Sequence, residues 1–449
     1  MGYYPPQSIN EIFLCSPMKL RLIAVVSLLS ATGLLAAEKK AAPALPLTWK
    51  AAAGSVVVTP TKNLWMAGYA NRKKPAEGKA QELFAKSLAL QDEQGQKLVF
   101  VTLDLIGVPQ PVRHRIAARV QKELGLGPQF LVLNASHTHS GPSLRGAIPT
   151  EKELQDPRIR DTFEYTQGLE EKIFQLVRDT LARLEPARLT WNRARSGFAM
   201  NRRLPTPKGY QNSPNPDGPV DHEVPVLRVE AAGGELRAMM FGYSCHNTCL
   251  GFYNYCGDYA GFAQEYLQAN RKNFTALFLM GCAGDQNPYP RGNGVVPGLT
   301  DLDLAKQHGR TLATAAEMAN ITPQRDVRGP LRAAYEEVML DYVKEKARPQ
   351  HAYPVQVIAF GNDLTLVTLG SEVVVDYSLR LKRELAGAAA VWIAGYSNDY
   401  VGYIPSVRVL KEGGYEAQQG WTDTVEERIV GKVHELHRRV KSQAMTSGR

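Results

Sequence analysis

Short apolar runs alternate along this chain with longer stretches in which apolar residues recur at helical spacing. The short runs have the length of buried strands and are Leu98–Leu105, Gln129–Leu133, Ala238–Tyr243, Ala276–Met280, Val355–Phe360, Leu364–Leu369 and Val391–Tyr396. The longer stretches are Pro111–Leu124, Asp161–Leu184, Tyr259–Asn270, Asp303–Asn320, Val374–Leu385 and the amphipathic segment Thr424–Lys441. Alternating strands and helices predict an α/β fold, with a mixed β-sheet core covered by helices.

The pattern contains no linker that would divide the chain, so we expect a single large domain over residues 54–441. Two segments rich in Gly, Pro or Asn, Arg202–Pro219 and Tyr289–Leu299, interrupt the pattern and are predicted to be long surface loops. Long loops in a compact domain often contribute to functional sites.

A targeting segment precedes this domain. Two basic residues lead into the apolar run Leu22–Ala37, which ends in small residues. This is the layout of a signal peptide, here residues 1–37, and the run is too short to favour a membrane span. Met18 directly precedes the basic residues, so we expect translation to start there. Residues 38–53 are predicted to be a flexible lead-in, and the mature protein to be periplasmic or secreted.

Composition narrows the range of partners. The chain has 449 residues, of which 44% are hydrophobic and 22% charged, as in an ordinary globular protein. Its net charge of +9 is spread over short clusters such as Arg72-Lys73-Lys74 and forms no long basic run. We therefore expect no nucleic acid partner and at most peripheral contact with a membrane.

Four cysteines lie in the expected mature chain: Cys245, Cys249, Cys256 and Cys282. An exported protein folds in an oxidising compartment, where one disulfide can form. A zinc knot is the competing interpretation, but spacings of four and seven residues match no common structural zinc pattern. Small buried thiols are the simplest interpretation.

The most distinctive motif is residues 134–142, which read Asn-Ala-Ser-His-Thr-His-Ser-Gly-Pro. The motif follows the apolar run Phe130–Leu133, so His137 and His139 are predicted to lie at the carboxyl end of a buried parallel strand. Residues two apart on a strand share a face, and both imidazoles could then reach one cavity. Imidazole is the commonest metal ligand. The alternative is a polar strand end whose histidines only cap backbone groups.

Further predicted strands also lead into polar side chains. The residues that follow them are His246, Glu372 and Tyr403, and another strand leads into Gly-Asp-Gln-Asn-Pro at 284–288. Two histidines, a carboxylate and an open position make the minimal catalytic zinc site. Each residue has an alternative role. His246 could be a buried core histidine, Glu372 a helix N-terminal acid and Tyr403 a packed aromatic.

The motif at 134–142, followed by the one at 284–288, resembles the catalytic domain of neutral/alkaline (non-lysosomal) ceramidases. Weaker markers occur in the family's order between residues 54 and 425, among them Met66–Ala70 and Asn201-Arg202. The resemblance implies a hydrolase that uses one Zn²⁺ ion and zinc-bound hydroxide to cleave the amide bond of an N-acyl lipid such as ceramide. The expected partner is therefore a lipid or small-molecule substrate.

By the same resemblance, the zinc ligands are His137, His246, Glu372 and Tyr403. The second histidine of the motif, His139, is expected to face the substrate as a proton shuttle or hydrogen-bond donor and not to bind the metal. Which of the two histidines binds zinc is left open by the residues themselves, since both occupy equivalent positions in the pattern.

Three more residues complete the expected catalytic set. Arg202 would stabilise the oxyanion or orient the substrate, with an exposed loop arginine as the alternative, and Tyr415 would match the family's second site tyrosine. Asn287 stands where family members carry Ser in a Gly-Asp-Val-Ser-Pro pattern. An amide cannot be a nucleophile, but it can donate a hydrogen bond to an oxyanion. Attack by zinc-bound hydroxide survives this change, whereas a Ser-acyl mechanism does not.

Family ceramidases also carry a C-terminal β-sandwich domain, which we expect this chain to lack. Both departures weaken the assignment of ceramide as substrate more than the reaction class. Two alternatives therefore stay open. One is a zinc hydrolase of the same fold that acts on a polar amide, an ester or a glycan. The other is a catalytically impaired binding protein.

Overall fold

The apolar runs form strands in the computed structural model, which describes residues 47–292, 294–343 and 349–446. In chain order the strands are β1 Trp49–Val57, β2 Gly78–Lys79, β3 Phe84–Asp92, β4 Lys97–Leu103, β5 Leu131–Ala135, β6 Glu185–Arg195, β7 Ala199–Thr206, β8 Gly209–Asn215, β9 Glu223–Ala231, β10 Leu236–Tyr243, β11 Asn254–Tyr255, β12 Thr275–Met280, β13 Gln286–Pro288, β14 Arg325–Val327, β15 Leu331–Leu340, β16 His351–Phe360, β17 Leu364–Leu369, β18 Glu372–Val373, β19 Ala390–Ala394 and β20 Tyr403–Ile404.

The helices follow the predicted helical stretches closely. They are α1 Gln110–Leu124, α2 Pro157–Leu181, α3 Asp258–Gln268, α4 Asp301–Ile321, α5 Val375–Glu384, α6 Val407–Glu412 and α7 Val425–Thr446. Short 3-10 helices lie at Pro128–Phe130, Glu153–Gln155 and Tyr415–Ala417.

Two sheets form the core. The larger has the strand order β12-β10-β9-β6-β1-β3-β4-β5, with β14 paired to β6. In it β12 is parallel to β10 and β5 is parallel to β4, whereas β10-β9, β9-β6, β6-β1, β1-β3 and β3-β4 are antiparallel. The second sheet has the order β15-β16-β17-β19, with only β17 and β19 parallel. Both sheets are mixed, as predicted.

The buried side chains arrange these elements in four layers. One cluster contains only strand residues and joins the facing sides of the two sheets, for example Trp49 and Leu88 with Ile358 and Leu366. A second and a third cluster pack helices α1 to α4 on the outer side of the larger sheet. A fourth packs α5 and α7 on the outer side of the second sheet. The alternating strand faces explain this order, because each strand buries one face against helices and the other against a sheet.

Asn134 ties the ends of the larger sheet together beside the motif. Its side-chain oxygen accepts a hydrogen bond from the Met280 backbone N–H at 2.9 Å, and its side-chain nitrogen donates to the Gly395 carbonyl at 2.8 Å. These partners lie at the ends of β12 and β19, so the residues that follow β5, β12 and β19 meet at one place.

The expectation of an α/β fold with a mixed sheet covered by helices is confirmed, and the described residues belong to one compact unit. The prediction that Arg202–Pro219 is a surface loop is wrong, because β7 and β8 form an antiparallel hairpin there. The prediction of a flexible lead-in over 38–53 is wrong for its last residues, since Trp49–Ala53 belong to β1. The predicted signal peptide, residues 1–37, lies outside the described residues.

Two other expectations concern single chemical features. Within the part of the chain that the structure describes, no helix is long and apolar enough to cross a membrane. All four cysteines of the expected mature chain are buried free thiols, so the disulfide is wrong and the simplest interpretation is confirmed. Burial raises the pKa of the Cys282 thiol, which keeps this sulfur protonated and unreactive at neutral pH.

Candidate metal centre

His137 stands two residues beyond the end of β5 in a left-handed backbone conformation, with φ of 62°. Its backbone N–H donates to the Leu105 carbonyl at 2.9 Å, and its ring Nδ1 lies 2.7 Å from the Ile106 carbonyl oxygen. A carbonyl only accepts, so Nδ1 carries the proton and Nε2 presents a lone pair. The prediction that the two motif histidines share a strand face is wrong, because β5 ends at Ala135 and both histidines lie beyond it.

His246 follows β10 and is fixed in the same manner. Its backbone N–H donates to the Gln286 carbonyl at 2.8 Å, and its Nδ1 lies 2.6 Å from the Ala283 carbonyl oxygen. The side chain is buried, with 1% relative exposure. A carbonyl partner on one ring nitrogen fixes the tautomer and the orientation of an imidazole whose other nitrogen binds metal.

Glu372 and Tyr403 are brought side by side by strand pairing. They occupy matching positions in the parallel pair β18–β20. The reading of Glu372 as an acid within a helix N-terminus is wrong, because α5 begins only at Val375 and Glu372 belongs to β18. The residue before it, Ser371, adopts a left-handed conformation with φ of 61°, and this sharp bend directs the chain from β17 into β18.

Four side chains converge on one point: those of His137, His139, His246 and Glu372. Glu372 Oε2 lies 3.2 Å from His137 Nε2 and 3.1 Å from His246 Nε2. His139 Nε2 lies 3.1 Å from His137 Nε2, and the nitrogens that the three histidines offer lie within 4.8 Å of one another. Tetrahedral zinc, with bonds of about 2.0–2.1 Å, places its ligand atoms roughly 3.3 Å apart. The donor set and its spacing therefore fit a zinc ion.

The electrostatics of the cluster favour the protonation states that bind metal. Burial lowers the pKa of His246 to about 3, so this ring is neutral at neutral pH. Burial opposes ionisation of Glu372, but the adjacent imidazoles of His137 and His246 hold its pKa well below the usual range. Metal ligands must be neutral imidazoles and ionised carboxylates.

His139 differs from the other two histidines in its surroundings. Burial lowers its pKa, and its Nδ1 is buried with no hydrogen-bond partner among the described residues. Its ring packs against the ring of Tyr69, with centroids 4.7 Å apart, and against Gly68. A Cβ at Gly68 would lie 2.4 Å from the His139 ring, and Gly68 has φ of +96°, so only glycine fits there. The ring is placed by packing and has no carbonyl partner.

Tyr403 extends the cluster toward a buried arginine. Its hydroxyl lies 3.5 Å from His246 Nε2, and its ring stacks on the His246 ring at an interplanar angle of 21°. The Arg202 guanidinium lies 5.3 Å from the centre of the Tyr403 ring and 5.6 Å from that of Tyr415. Arg202 is therefore part of the same site, and the alternative of an exposed loop arginine is wrong.

Arg202 is held by another buried side chain, Glu416. Its Nε donates to Glu416 Oε1 at 2.8 Å, and the neighbouring Arg203 donates to Glu416 Oε2. Adjacent residues in a regular strand point to opposite faces, but the register shifts between Asn201 and Arg203, and this irregularity lets both arginines reach one carboxylate. Arg202 Nη2 is buried and has no hydrogen-bond partner within the described residues.

The remaining candidates flank this arginine. Asn287 lies on β13, opposite β7, and its Oδ1 accepts a hydrogen bond from Arg202 Nη1 at 3.3 Å. Tyr415 begins a 3-10 helix, and its ring centre lies 5.2 Å from that of Tyr403. With 49% relative exposure, Tyr415 occupies the solvent side of the site. The structure thus brings all eight residues singled out in the sequence into one region.

Sequence reasoning missed several neighbours. The ring of Tyr396 lies 4.6 Å from that of His137, and the ring of Tyr400 lies 6.0 Å from it. Burial raises the pKa of both phenols, so they stay neutral beside Glu372. Tyr69 lies within the weak family marker Met66–Ala70, and Glu416 directly follows the candidate Tyr415. Two sequence signals could have pointed to these neighbours. The cluster of polar residues after β19 contains Tyr396 and Tyr400, and the acid directly after Tyr415 is Glu416.

The fold and the order of the sequence motifs define a protein of the ceramidase class. The chain belongs to the neutral/alkaline non-lysosomal ceramidase family, whose N-terminal model matches residues 52–296. It is 26% identical to neutral ceramidase 1 of Arabidopsis thaliana over 230 residues, which make up 48% of this chain and 28% of that protein. The match thus spans less than a third of the plant protein.

Two solved structures share the fold. A ceramidase complexed with C2 superimposes with a TM-score of 0.72 at 19% identity, covering 88% of this chain and 76% of that one. Neutral ceramidase from Pseudomonas aeruginosa superimposes with a TM-score of 0.69 at 20% identity, covering 84% of this chain and 71% of that one. The shared architecture extends well beyond the residues matched by the family model.

Proposed function

We propose that this chain hydrolyses the amide bond of an N-acyl lipid such as ceramide with the help of one zinc ion. The observation that carries the proposal is the convergence of His137 Nε2 and His246 Nε2 on Glu372 Oε2, at 3.2 and 3.1 Å. Tyr403 is the proposed fourth ligand, because its hydroxyl is 3.5 Å from His246 Nε2. The carbonyl-bound Nδ1 atoms support His137 and His246, rather than His139, as the proposed ligating histidines.

Zinc bound here would lower the pKa of a water molecule to about 7 and polarise the substrate carbonyl. The protein supplies the other two requirements of amide hydrolysis. Arg202 Nη2, which is buried and has no hydrogen-bond partner in the described part of the chain, donates to the carbonyl oxygen as that oxygen becomes negative. His139 is neutral, and its Nδ1 has no hydrogen-bond partner among the described residues, so this ring can take a proton from the attacking water and pass it to the leaving amine.

Asn287 has a supporting role in this scheme. Its Oδ1 accepts from Arg202 Nη1 at 3.3 Å and leaves Nη2 for the substrate. Tyr415, half exposed beside Tyr403, is the proposed contact for the substrate at the entrance. We also propose that the predicted signal peptide directs the protein to the periplasm or the medium. There it would contact membranes at most peripherally. Cell fractionation tests this localisation.

The experiment is amine release from a fluorescent long-chain N-acylsphingosine by the purified protein with zinc restored. We expect turnover by the wild type, about one zinc per chain, and loss of both in His137→Ala. His434→Ala is the matched control, because His434 lies at the surface and pairs with Glu384. Folded, zinc-loaded protein that releases no amine from any N-acyl lipid would overturn the proposal.

A second candidate substrate is a polar N-acyl compound such as an N-acyl amino acid. Asn287 in place of Ser and the unpartnered Arg202 Nη2 favour it, since a guanidinium matches a carboxylate. Comparing kcat/KM for N-acylsphingosine and N-acyl amino acids of equal chain length distinguishes the two. Faster turnover of the amino acid series would move the assignment to the polar class and leave the reaction type intact.

A further inference from the structure

A lysine lies buried within the fold, away from the proposed zinc ligands. Lys86 belongs to β3 and has 3% relative exposure. Its Nζ lies 3.0 Å from Gln268 Oε1 and 2.9 Å from the Ala276 carbonyl oxygen. Lysine is almost never fully buried unless it is paired with a charge. Here both hydrogen-bond partners are neutral, and the amine interacts with the buried Asp104 carboxyl only through space.

The amine lines a cavity of about 490 Å³ between strands β3 and β4 and helices α3 and α4. Phe84 and Phe262 supply apolar walls, and Asp104 and Gln264 supply buried polar ones. Asp104 accepts hydrogen bonds from the Phe84 backbone N–H at 2.9 Å and from Gln264 Nε2 at 3.3 Å. None of the residues that line the cavity belongs to the proposed zinc site, so this is a separate place in the molecule.

The hydrogen bonds of Lys86 leave its nitrogen suited to attack. A neutral amine has two hydrogens and one lone pair, and the two acceptors, Gln268 and Ala276, take both hydrogens. The lone pair is then left for the cavity. Burial lowers the pKa of Lys86 to about 8, against the opposing effect of Asp104. At pH 8 about half of the amine is neutral, roughly a hundredfold more than for an exposed lysine with its pKa of ~10.4.

We propose that Lys86 is a covalent capture site for small apolar aldehydes. Its nitrogen adds to the aldehyde carbon, and the carbonyl oxygen becomes the hydroxyl of a carbinolamine after a proton passes from nitrogen to oxygen. Loss of that hydroxyl with a proton, as water, leaves an imine between Lys86 and the ligand. No oxidant or reductant is needed. Phe84 and Phe262 accommodate the hydrocarbon part of the ligand.

The charges around the cavity favour this adduct over a carbamate formed with carbon dioxide. Three acids, Glu82, Asp104 and Glu265, and one further base, Lys306, line the cavity with Lys86. A protonated imine keeps one positive charge at the nitrogen, where Asp104 can stabilise it. A carbamate would instead place a negative charge among three carboxyl groups. An aldehyde is therefore the electrophile that the site fits.

The test is reductive labelling of the whole protein with limiting benzaldehyde and sodium cyanoborohydride at pH 8, followed by peptide mapping. We expect Lys86 to take at least tenfold more label than the average exposed lysine, with labelling that rises through pH 8 and levels off near pH 9, where labelling of an exposed lysine is still rising. Lys86→Arg should lose this adduct while keeping a hydrogen-bond donor, and Lys306→Arg should keep it. His137→Ala should label normally, so the outcome is independent of the zinc site.

Wild-type mapping alone decides the case if Lys86→Arg fails to fold. Label spread over the exposed lysines in folded protein, with Lys86 unmodified, overturns the proposal. So does label at Lys86 that follows the pH dependence of an ordinary lysine, since the cavity would then add no reactivity.

Discussion

His137 and His246 are each held by a main-chain carbonyl, whereas Arg202 is held by the side chain of Glu416. The histidines and Glu372 come from residues just beyond core strands of the two sheets. Arg202 comes from a small hairpin, and Glu416 from a 3-10 helix 214 residues later in the chain. The two halves of the site meet at Tyr403, which stacks on His246 and lies under Arg202.

This difference has an energetic meaning. The Ile106 and Ala283 carbonyls belong to buried segments that closely follow β4 and β12, so the histidine half is organised by the packed fold itself. The arginine half is organised by charges that are buried together: Arg202, Arg203 and Glu416 are all less than 4% exposed. Removing one partner of a buried ion pair leaves an unpaired buried charge. We therefore expect substitutions in the histidine half to abolish metal binding. Substitutions in the arginine half should instead lower the stability of the fold.

The largest expected effect tests the histidine half. His246→Ala should remove zinc almost completely and lower amide hydrolysis about 10³-fold, since loss of the metal removes several kcal/mol of transition-state stabilisation. Metal analysis after desalting and kcat/KM measure the two effects. The surface variant His434→Ala should keep both. Full zinc content in folded His246→Ala would break the comparison, because it would place the ligand set elsewhere.

The next effect tests the arginine half. Glu416→Ala should lower the free energy of unfolding by about 3–5 kcal/mol, because buried Arg202 loses its carboxylate and Arg203 keeps only its pairing with the half-buried Glu412 within the described residues. Zinc content should be unchanged in the folded fraction. Denaturant unfolding measures the first and metal analysis the second.

Glu384→Ala is the control for Glu416→Ala, since Glu384 pairs with Arg380 and His434 at the surface. Exposed pairs contribute about 0–1 kcal/mol. A Glu416→Ala protein as stable as Glu384→Ala would show that the arginines are held by something other than this carboxylate.

The same contrast explains which parts of the site could be predicted from sequence. The histidine half is local: an apolar run ends and a polar motif begins, so the strand end and its ligands are visible together. The arginine half depends on pairing between distant segments. Proline and asparagine in Arg202–Pro219 suggested a loop, yet the register of β7 with β8 and β13 buries Arg202 and Arg203. No local pattern encodes those pairings.

Strand β1 shows a second limit of local patterns. It reads WKAAAGSVV, in which alanine and glycine dilute the alternation that marks a strand. Its pairing with β3 and β6 buries it inside the larger sheet, although its own sequence shows no clear alternation of apolar and polar residues. The pairing of Glu372 with Tyr403 is similar, because two-residue strands carry no detectable period.

A smaller effect is expected at Asn287, which contacts Arg202 at the edge of the arginine half. Asn287→Ala removes the acceptor for Arg202 Nη1 but no charge, so we expect about a tenfold loss of kcat/KM, unchanged zinc content and little change in stability. Asn287→Ser retains a polar group and should lie between wild type and Asn287→Ala. A gain of tenfold or more in Asn287→Ser would contradict the scheme, since it would indicate a serine-dependent mechanism.

The smallest effect is a pH dependence confined to the arginine half. Burial opposes ionisation of Glu416, but Arg202 and then Arg203 lower its pKa in the folded protein. A lowered pKa adds stability above the unfolded value of about 4.3, and that stability is lost as pH falls toward the folded value. Glu416→Gln lacks this ionisation and exchanges charged hydrogen bonds for neutral ones, a loss of roughly 1–2 kcal/mol at neutral pH.

The difference in unfolding free energy between wild type and Glu416→Gln should therefore be constant from pH 7 to about 5.5 and shrink below about 4.5. Carboxyl groups elsewhere in the chain titrate in both proteins and cancel in the difference. Urea unfolding at half-unit pH intervals measures it. A constant difference would mean that folding does not shift the pKa of Glu416, and a difference that grows as pH falls would mean that Glu416 is already protonated in the folded protein. Arg202 would then be buried beside an uncharged Glu416, and the distinction between the two halves of the site would be lost.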